Sequence, residues 1–149
     1  MANQQGNFGF RPVLMMGSAY QGQGQQEMKI NSNETNSIFM GDPVVLNANG
    51  AISRGDSKGA ELVGVFNGCF YTDPTSQKPT FSNHYPGAIV ASDIVANVIS
   101  DPDVIFEVKV DDANGGRAQV GSTANIATYA AGSTKSGISG VSLDGSTFA

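Results

Sequence analysis

The sequence predicts an all-β fold, either an antiparallel β-barrel or a jelly-roll-like β-sandwich, with an extended N-terminal arm and long loops. Val and Ile together number 22 against 4 Leu. Branched side chains are stiff at χ1 and suit a half-buried pleated surface, whereas Leu is a residue that helices favour. In residues 104–110 the even positions Val104, Phe106, Val108 and Val110 are apolar, and the odd positions include Glu107 and Lys109, the period of a strand with one face buried. Asn-Gly pairs at 49–50 and 114–115 mark tight turns between short apolar runs. At 149 residues the chain is the size of one ordinary domain. Domains of this size bury enough surface to fold without a disulfide or metal staple.

Charge narrows the function classes. Charged residues make up 14% of the chain, and the net charge is -5. The 62 Gly, Ser, Thr, Asn and Gln residues take the place of the missing charges. Five Lys and three Arg are scattered singly, so no basic patch tracks phosphates and no nucleic-acid partner is expected. No apolar run approaches bilayer length, so no membrane partner is expected either. The N-terminal residues lack a signal-peptide pattern, and synthesis in a cytoplasm is expected. The single cysteine, Cys69, allows no internal disulfide.

Taken in order, residues 1–27 read as the arm. They are rich in Gly and Gln, with Phe8, Phe10 and Tyr20 set among them. The arm is either solvated, or laid on its own domain or a neighbour through Phe8, Phe10, Pro12, Val13 and Leu14. Residues 28–129 read as the β domain. Strands are expected at 28–30, 37–40 and 61–66, with a type I′ hairpin over 43–54 turning at Asn49-Gly50. Gly64 inside the third of these predicts a bulge or a close backbone approach. Residues 67–87, with Phe70, Tyr71, Phe81 and Tyr85 among three prolines, read as a long functional loop. Strands follow at 88–90, 94–99 and 104–110, with a single helical turn at 92–97 as an alternative. A return strand at 117–120 would close a second Asn-Gly hairpin. Residues 130–149 read as a C-terminal tail or incomplete closing strands, held by a neighbour or continued in a longer chain.

Reactive constellations are sparse. A Cys/His nucleophile pair could only be Cys69 with His84. A buried cysteine ordinarily serves as a small apolar residue, and no Gly-x-Ser-x-Gly elbow is present. Asp101, Asp103, Asp111 and Asp112 flank the two ends of one strand, too far apart to act on one bond, and turn formation is the expected role. A zinc site lacks ligands, and no cofactor or metal is expected. Arg54-Gly55-Asp56, the sequon at Asn33, and Gly22-Gln23-Gly24, which fails the dinucleotide fingerprint, are chance matches. The expectation is a non-enzymatic protein.

Several segments, in order over roughly residues 7–145, resemble small structural proteins of tailed phages. They are Asn7-Phe8-Gly9-Phe10-Arg11-Pro12-Val13, Phe39-Met40-Gly41-Asp42-Pro43-Val44 and Leu62-Val63-Gly64-Val65-Phe66-Asn67-Gly68-Cys69-Phe70-Tyr71. Pro79 to Gly87 and Asp101 to Val108 complete the set. The group is similar to capsid decoration, or cement, proteins. That resemblance implies a virion protein on the outer capsid surface, bound to the major capsid protein and to copies of itself, with a homotrimer as the implied assembly. The low charge suits such contacts, because unpaired charges are costly in interfaces. The arm through Tyr20 and the aromatic loop at 66–85 are the expected contact elements. The residues singled out are Phe8, Phe10, Arg11, Pro12, Tyr20, Phe66, Phe70, Tyr71, Phe81 and Tyr85. Removing residues 1–20 is expected to abolish shell binding and leave the domain folded. A tail, fibre or head-fibre component is one alternative; a carbohydrate-binding β-sandwich with an aromatic platform is another.

Overall fold

The computed structural model describes residues 6–16, 24–56, 61–111, 116–127 and 129–149. Its strands are β1 (Arg11–Met15), β2 (Gln25–Ile30), β3 (Ile38–Phe39), β4 (Pro43–Leu46) and β5 (Ala51–Arg54). They continue with β6 (Leu62–Thr72), β7 (Pro79–Ser82), β8 (His84–Tyr85), β9 (Val95–Ile99) and β10 (Val104–Glu107). The fold is all-β. Strands β4-β5-β2-β9-β6 pair in that order, and β6 returns to β4, closing a five-stranded barrel. The barrel is mixed, because β2 and β5 run parallel while the other pairs are antiparallel. Beyond the barrel, β7 extends the sheet along the second half of β6.

Ile30, Val44, Ile52, Phe66, Ala96 and Val98 fill the interior, with Cys69, Tyr71, Tyr85 and Ile94 in the same cluster. Each large side chain buried here contributes roughly 1.5–3 kcal/mol of transfer free energy. The buried Tyr85 has its hydroxyl satisfied by two loops: it donates to the Glu34 carbonyl and accepts from the Ile89 amide. In this way β8 is locked to the turns before β3 and β9.

Strand β6 does the closing. Its first half pairs with β4 and its second with β7, while β9 lies along its other edge. An 11-residue strand must bend to do this. The bend falls at Asn67-Gly68, where the register against β9 shifts between Phe66 and Cys69 and Gly68 has φ 112°. Gly64 is the close approach that its place in the run predicts: a Cβ there would meet the Ile99 carbonyl oxygen at 2.4 Å.

Several local expectations are corrected. Residues 67–87 are largely strand, because Phe70, Tyr71, Thr80 and Phe81 enter a ladder. The hairpin over 43–54 forms, but not with a type I′ turn. The Gly50 amide donates to the Asn47 carbonyl, the Asn47 amide donates to the Ala51 carbonyl, and among the turn residues Gly50 takes the positive φ, 74°. This is a type I turn closed by a glycine bulge, which spares Asn49 the left-handed region. Residues 88–90 form no strand, residues 95–99 are strand and not helical, and residues 117–119 form a 3₁₀ turn in place of a return strand. The Asn114-Gly115 turn lies outside the described residues. Strand β2 starts at Gln25 because its ladder with β9 is made by backbone groups and does not depend on apolar side chains. Beyond β10, Val110 and Ile126 bridge to Leu143, so the C-terminal stretch folds back on the domain.

Candidate functional site

Three segments cross at one mouth of the barrel. The turn Met40-Gly41-Asp42 between β3 and β4 is anchored to β6 by Gly41 N–H to Phe66 O and Phe66 N–H to Asp42 O, 2.8 and 2.9 Å. The N-terminal strap lies on it, with the Phe10 amide donating to Gly41 O at 2.9 Å. From the other side, Gly137 O accepts from the Met40 amide, and the Ser139 amide donates to Met40 O. Asn7 Nδ2 donates to Gly140 O at 2.9 Å and ties the two outer segments together. The crossing needs Gly9: at φ 68° its missing Cβ would fall 2.5 Å from both Gly41 O and Ser139 Cβ.

A carboxylate sits beneath the crossing. Asp42 is fully buried. Its Oδ2 accepts from the Phe39 amide at 2.9 Å and from the Tyr129 hydroxyl at 3.0 Å. The Arg54 guanidinium lies over the Tyr129 ring, 3.9 Å from its centroid, and donates to Ser37 O. Burial pushes the Asp42 carboxyl above its ordinary value, opposed by the Phe39 amide, the Ser139 and Tyr129 hydroxyls and the Arg54 charge. The same surroundings push the Tyr129 phenol up. Asp42 Oδ1 and Arg54 Nε are buried without a well-formed hydrogen bond. The arrangement pins residue 129 to the barrel.

Beside the crossing lies an apolar cleft of about 310 Å³, lined by Phe8, Phe10, Pro12, Met40, Val65, Phe66, Ile99 and Ile138, with Arg11 and Asn67 as its polar contributors. Arg11 and Pro12 bring the start of β1 to its rim, and β1 continues away from it paired with β10. Arg11 pairs with Glu107 at 2.6 Å and covers the Phe8 ring; Phe10 meets Phe106 edge-on. The register places Leu14 opposite Ile105. Leu14, with 61% of its surface exposed, joins Val13, Met16 and Ile105 in an exposed apolar group on this ribbon.

The sequence-predicted contact residues separate into three groups. Phe8, Phe10, Arg11, Pro12 and Phe66 converge on the cleft. Phe70 and Phe81 form a second, distinct pair on β6 and β7, with ring centroids 4.8 Å apart and Phe81 82% exposed. Tyr71 and Tyr85 form the third group: they are buried, as Phe66 is beneath the cleft, so the barrel already occupies their side chains. Tyr20 lies outside the described residues. Met40, Ile138, Asp42 and Tyr129 gain their places only through long-range contacts. Val13 and Leu14 were legible as apolar arm residues; that Leu14 would stand opposite Ile105 was not.

The reactive candidates are placed just as plainly. The Cys69 thiol donates to the His84 carbonyl, not to its ring, and burial pushes its pKa up to about 12. The His84 imidazole stacks on Phe39 at 5.6 Å and 7°. Asp101 accepts from the Asp103 amide within its own turn, whereas Asp111 accepts from the distant Gly145 amide and ties the C-terminal stretch to the end of the ribbon. Arg54 and Asp56 pair with each other at 3.1 Å. Among the described residues no group of three or more His, Cys, Asp or Glu could hold a metal. No protein-family model, curated protein or solved structure matches the chain.

Proposed function

We propose that this chain is a non-enzymatic virion structural protein that binds the outside of a phage capsid and stabilises it. What supports this reading is the resemblance of an ordered set of segments, from Asn7-Phe8-Gly9-Phe10-Arg11-Pro12-Val13 to Asp101–Val108, to those of phage decoration proteins. The apolar ribbon supports it: Val13, Leu14, Met16 and Ile105 are exposed along it, and the Arg11–Glu107 pair at its start is neutralised, the pattern of a surface made to be covered. The partners are the major capsid protein and further copies of this chain, and the contact residues are Phe8, Phe10, Arg11, Pro12 and the ribbon, with Phe70 and Phe81 as a second contact. No cofactor, nucleic acid or membrane takes part.

Deletion of residues 1–20 is a poor test of this reading, because it removes β1 from β10 and the strap from Gly41. The decisive measurement is the copy number of the protein in purified particles relative to the major capsid protein. A ratio of one, or a fixed simple fraction, is the expected result. A handful of copies would assign it to the tail or a fibre, and absence from particles would end the virion reading.

A further inference from the structure

Asn-Gly pairs undergo a spontaneous reaction whose rate depends on how freely the local backbone can rotate. The following amide nitrogen attacks the asparagine Cγ, and glycine offers the least obstruction to that approach. Two such pairs lie in described parts of the chain, Asn49-Gly50 and Asn67-Gly68, and the fold treats them oppositely. A third, Asn114-Gly115, lies outside the described residues.

Asn49 and Gly50 are both exposed at the tip of the β4–β5 hairpin. A Cβ added at Gly50 would meet nothing within 4 Å, so the peptide has open space in which to turn. The Gly50 amide is held by a single turn bond to Asn47 O, 2.9 Å. Such bonds open locally, without unfolding of the body of the protein. Asn67-Gly68 is the reverse case. It lies inside β6 with Phe66 and Cys69 buried on either side, and a Cβ at Gly68 would stand 3.0 Å from Ser82 O. The two residues sit at the bulge between the pairs Phe66↔Val98 and Cys69↔Ala96, with Cys69↔Ser82 beside them, so rotation there strains the ladders on both edges of β6.

We infer that Asn49 is a site of spontaneous deamidation and isomerisation in the folded protein, and that Asn67 is protected by the barrel. The Gly50 nitrogen forms a bond to Asn49 Cγ while the Cγ–Nδ2 bond breaks. Ammonia leaves, carrying the proton that the Gly50 nitrogen gives up. Water then opens the resulting succinimide at either carbonyl, giving aspartate or isoaspartate at position 49. No oxidant, metal or second protein is needed. The product carries one more negative charge at the hairpin tip. In the isoaspartate form it also has an extra methylene in the loop backbone, beyond the last β4–β5 pair, Leu46↔Ile52. The modification is therefore expected to leave the barrel ladder intact and to change the surface of the tip.

The test is to hold the purified protein in mildly alkaline buffer at physiological temperature, both native and in urea. Peptide mapping with fragmentation then follows conversion at positions 49 and 67 separately. In urea the two should convert at rates within about twofold, both being unprotected Asn-Gly pairs. In the native protein Asn49 should convert at least about tenfold faster than Asn67, because only Asn67 must wait for the barrel to open. A native ratio below that overturns the inference. The variant Asn49→Gln should lose the fast native conversion; a fast phase that survives at position 67 would also overturn it.

Discussion

Asp42 is the residue on which the crossing of the three segments depends. Its folded pKa is raised from 3.8 because burial outweighs the donors around it. A carboxyl of this kind binds its proton more tightly when folded than unfolded. Its contribution therefore favours the fold below pH 3.8 and is lost as the pH rises through the raised value. Asp73 and Asp93, held low by donors from Thr75, Ser76 and Thr72, act in the opposite sense: their contribution is present above 3.8 and is lost on acidification. The informative quantity is thus a difference between variants. Asp42→Asn keeps an oxygen for the Phe39 amide and the Tyr129 hydroxyl but removes the titration. The gap in urea midpoint between Asp42→Asn and the parent should widen in the variant's favour from acid to neutral pH, and a constant gap would show that the carboxyl does not titrate there. Asp42→Ala should instead cost about 3 kcal/mol, since two buried donors lose their acceptor and a cavity opens.

At the scale of the elements, glycines mark where the barrel bends and where it touches itself, and two of them predict different costs. Gly50 has a positive φ with open space around it, so Gly50→Ala should cost about 1 kcal/mol of purely conformational origin. At Gly64 the added methyl would run into the Ile99 carbonyl at 2.4 Å and Val98 Cγ1 at 2.7 Å. Gly64→Ala must push β6 from β9 and should cost about 3 kcal/mol. Urea denaturation of the two variants side by side checks the order; equal losses would mean that β6 shifts freely at that point. Of these elements, β4, β5 and β10 were legible because their apolar periods are local. The second half of β6 and β7 were not, because prolines and exposed aromatics there read as loop. What holds them is a ladder from Cys69↔Ser82 to Thr72↔Pro79 that no local pattern announces.

For the whole molecule, the exposed ribbon yields the prediction that most directly concerns function. Leu14→Glu places a charge on an already exposed position and should change stability by less than about 0.5 kcal/mol. On the proposed role it should also abolish binding to capsid shells in a sedimentation assay; full binding by a stably folded variant would remove the ribbon from the contact surface. The all-β class and the 43–54 hairpin were determined by the sequence alone, because composition and period-2 patterning are properties of neighbours along the chain. Barrel closure, the parallel β2–β5 pair, the burial of Phe66, Tyr71 and Tyr85, and the Asp42–Tyr129–Arg54 cluster were decided only by the tertiary structure. They join residues as far apart as 42 and 129. An aromatic in a Gly- and Pro-rich stretch carries no local mark of whether it faces a core or a partner; that is settled by which distant backbone pairs with its own.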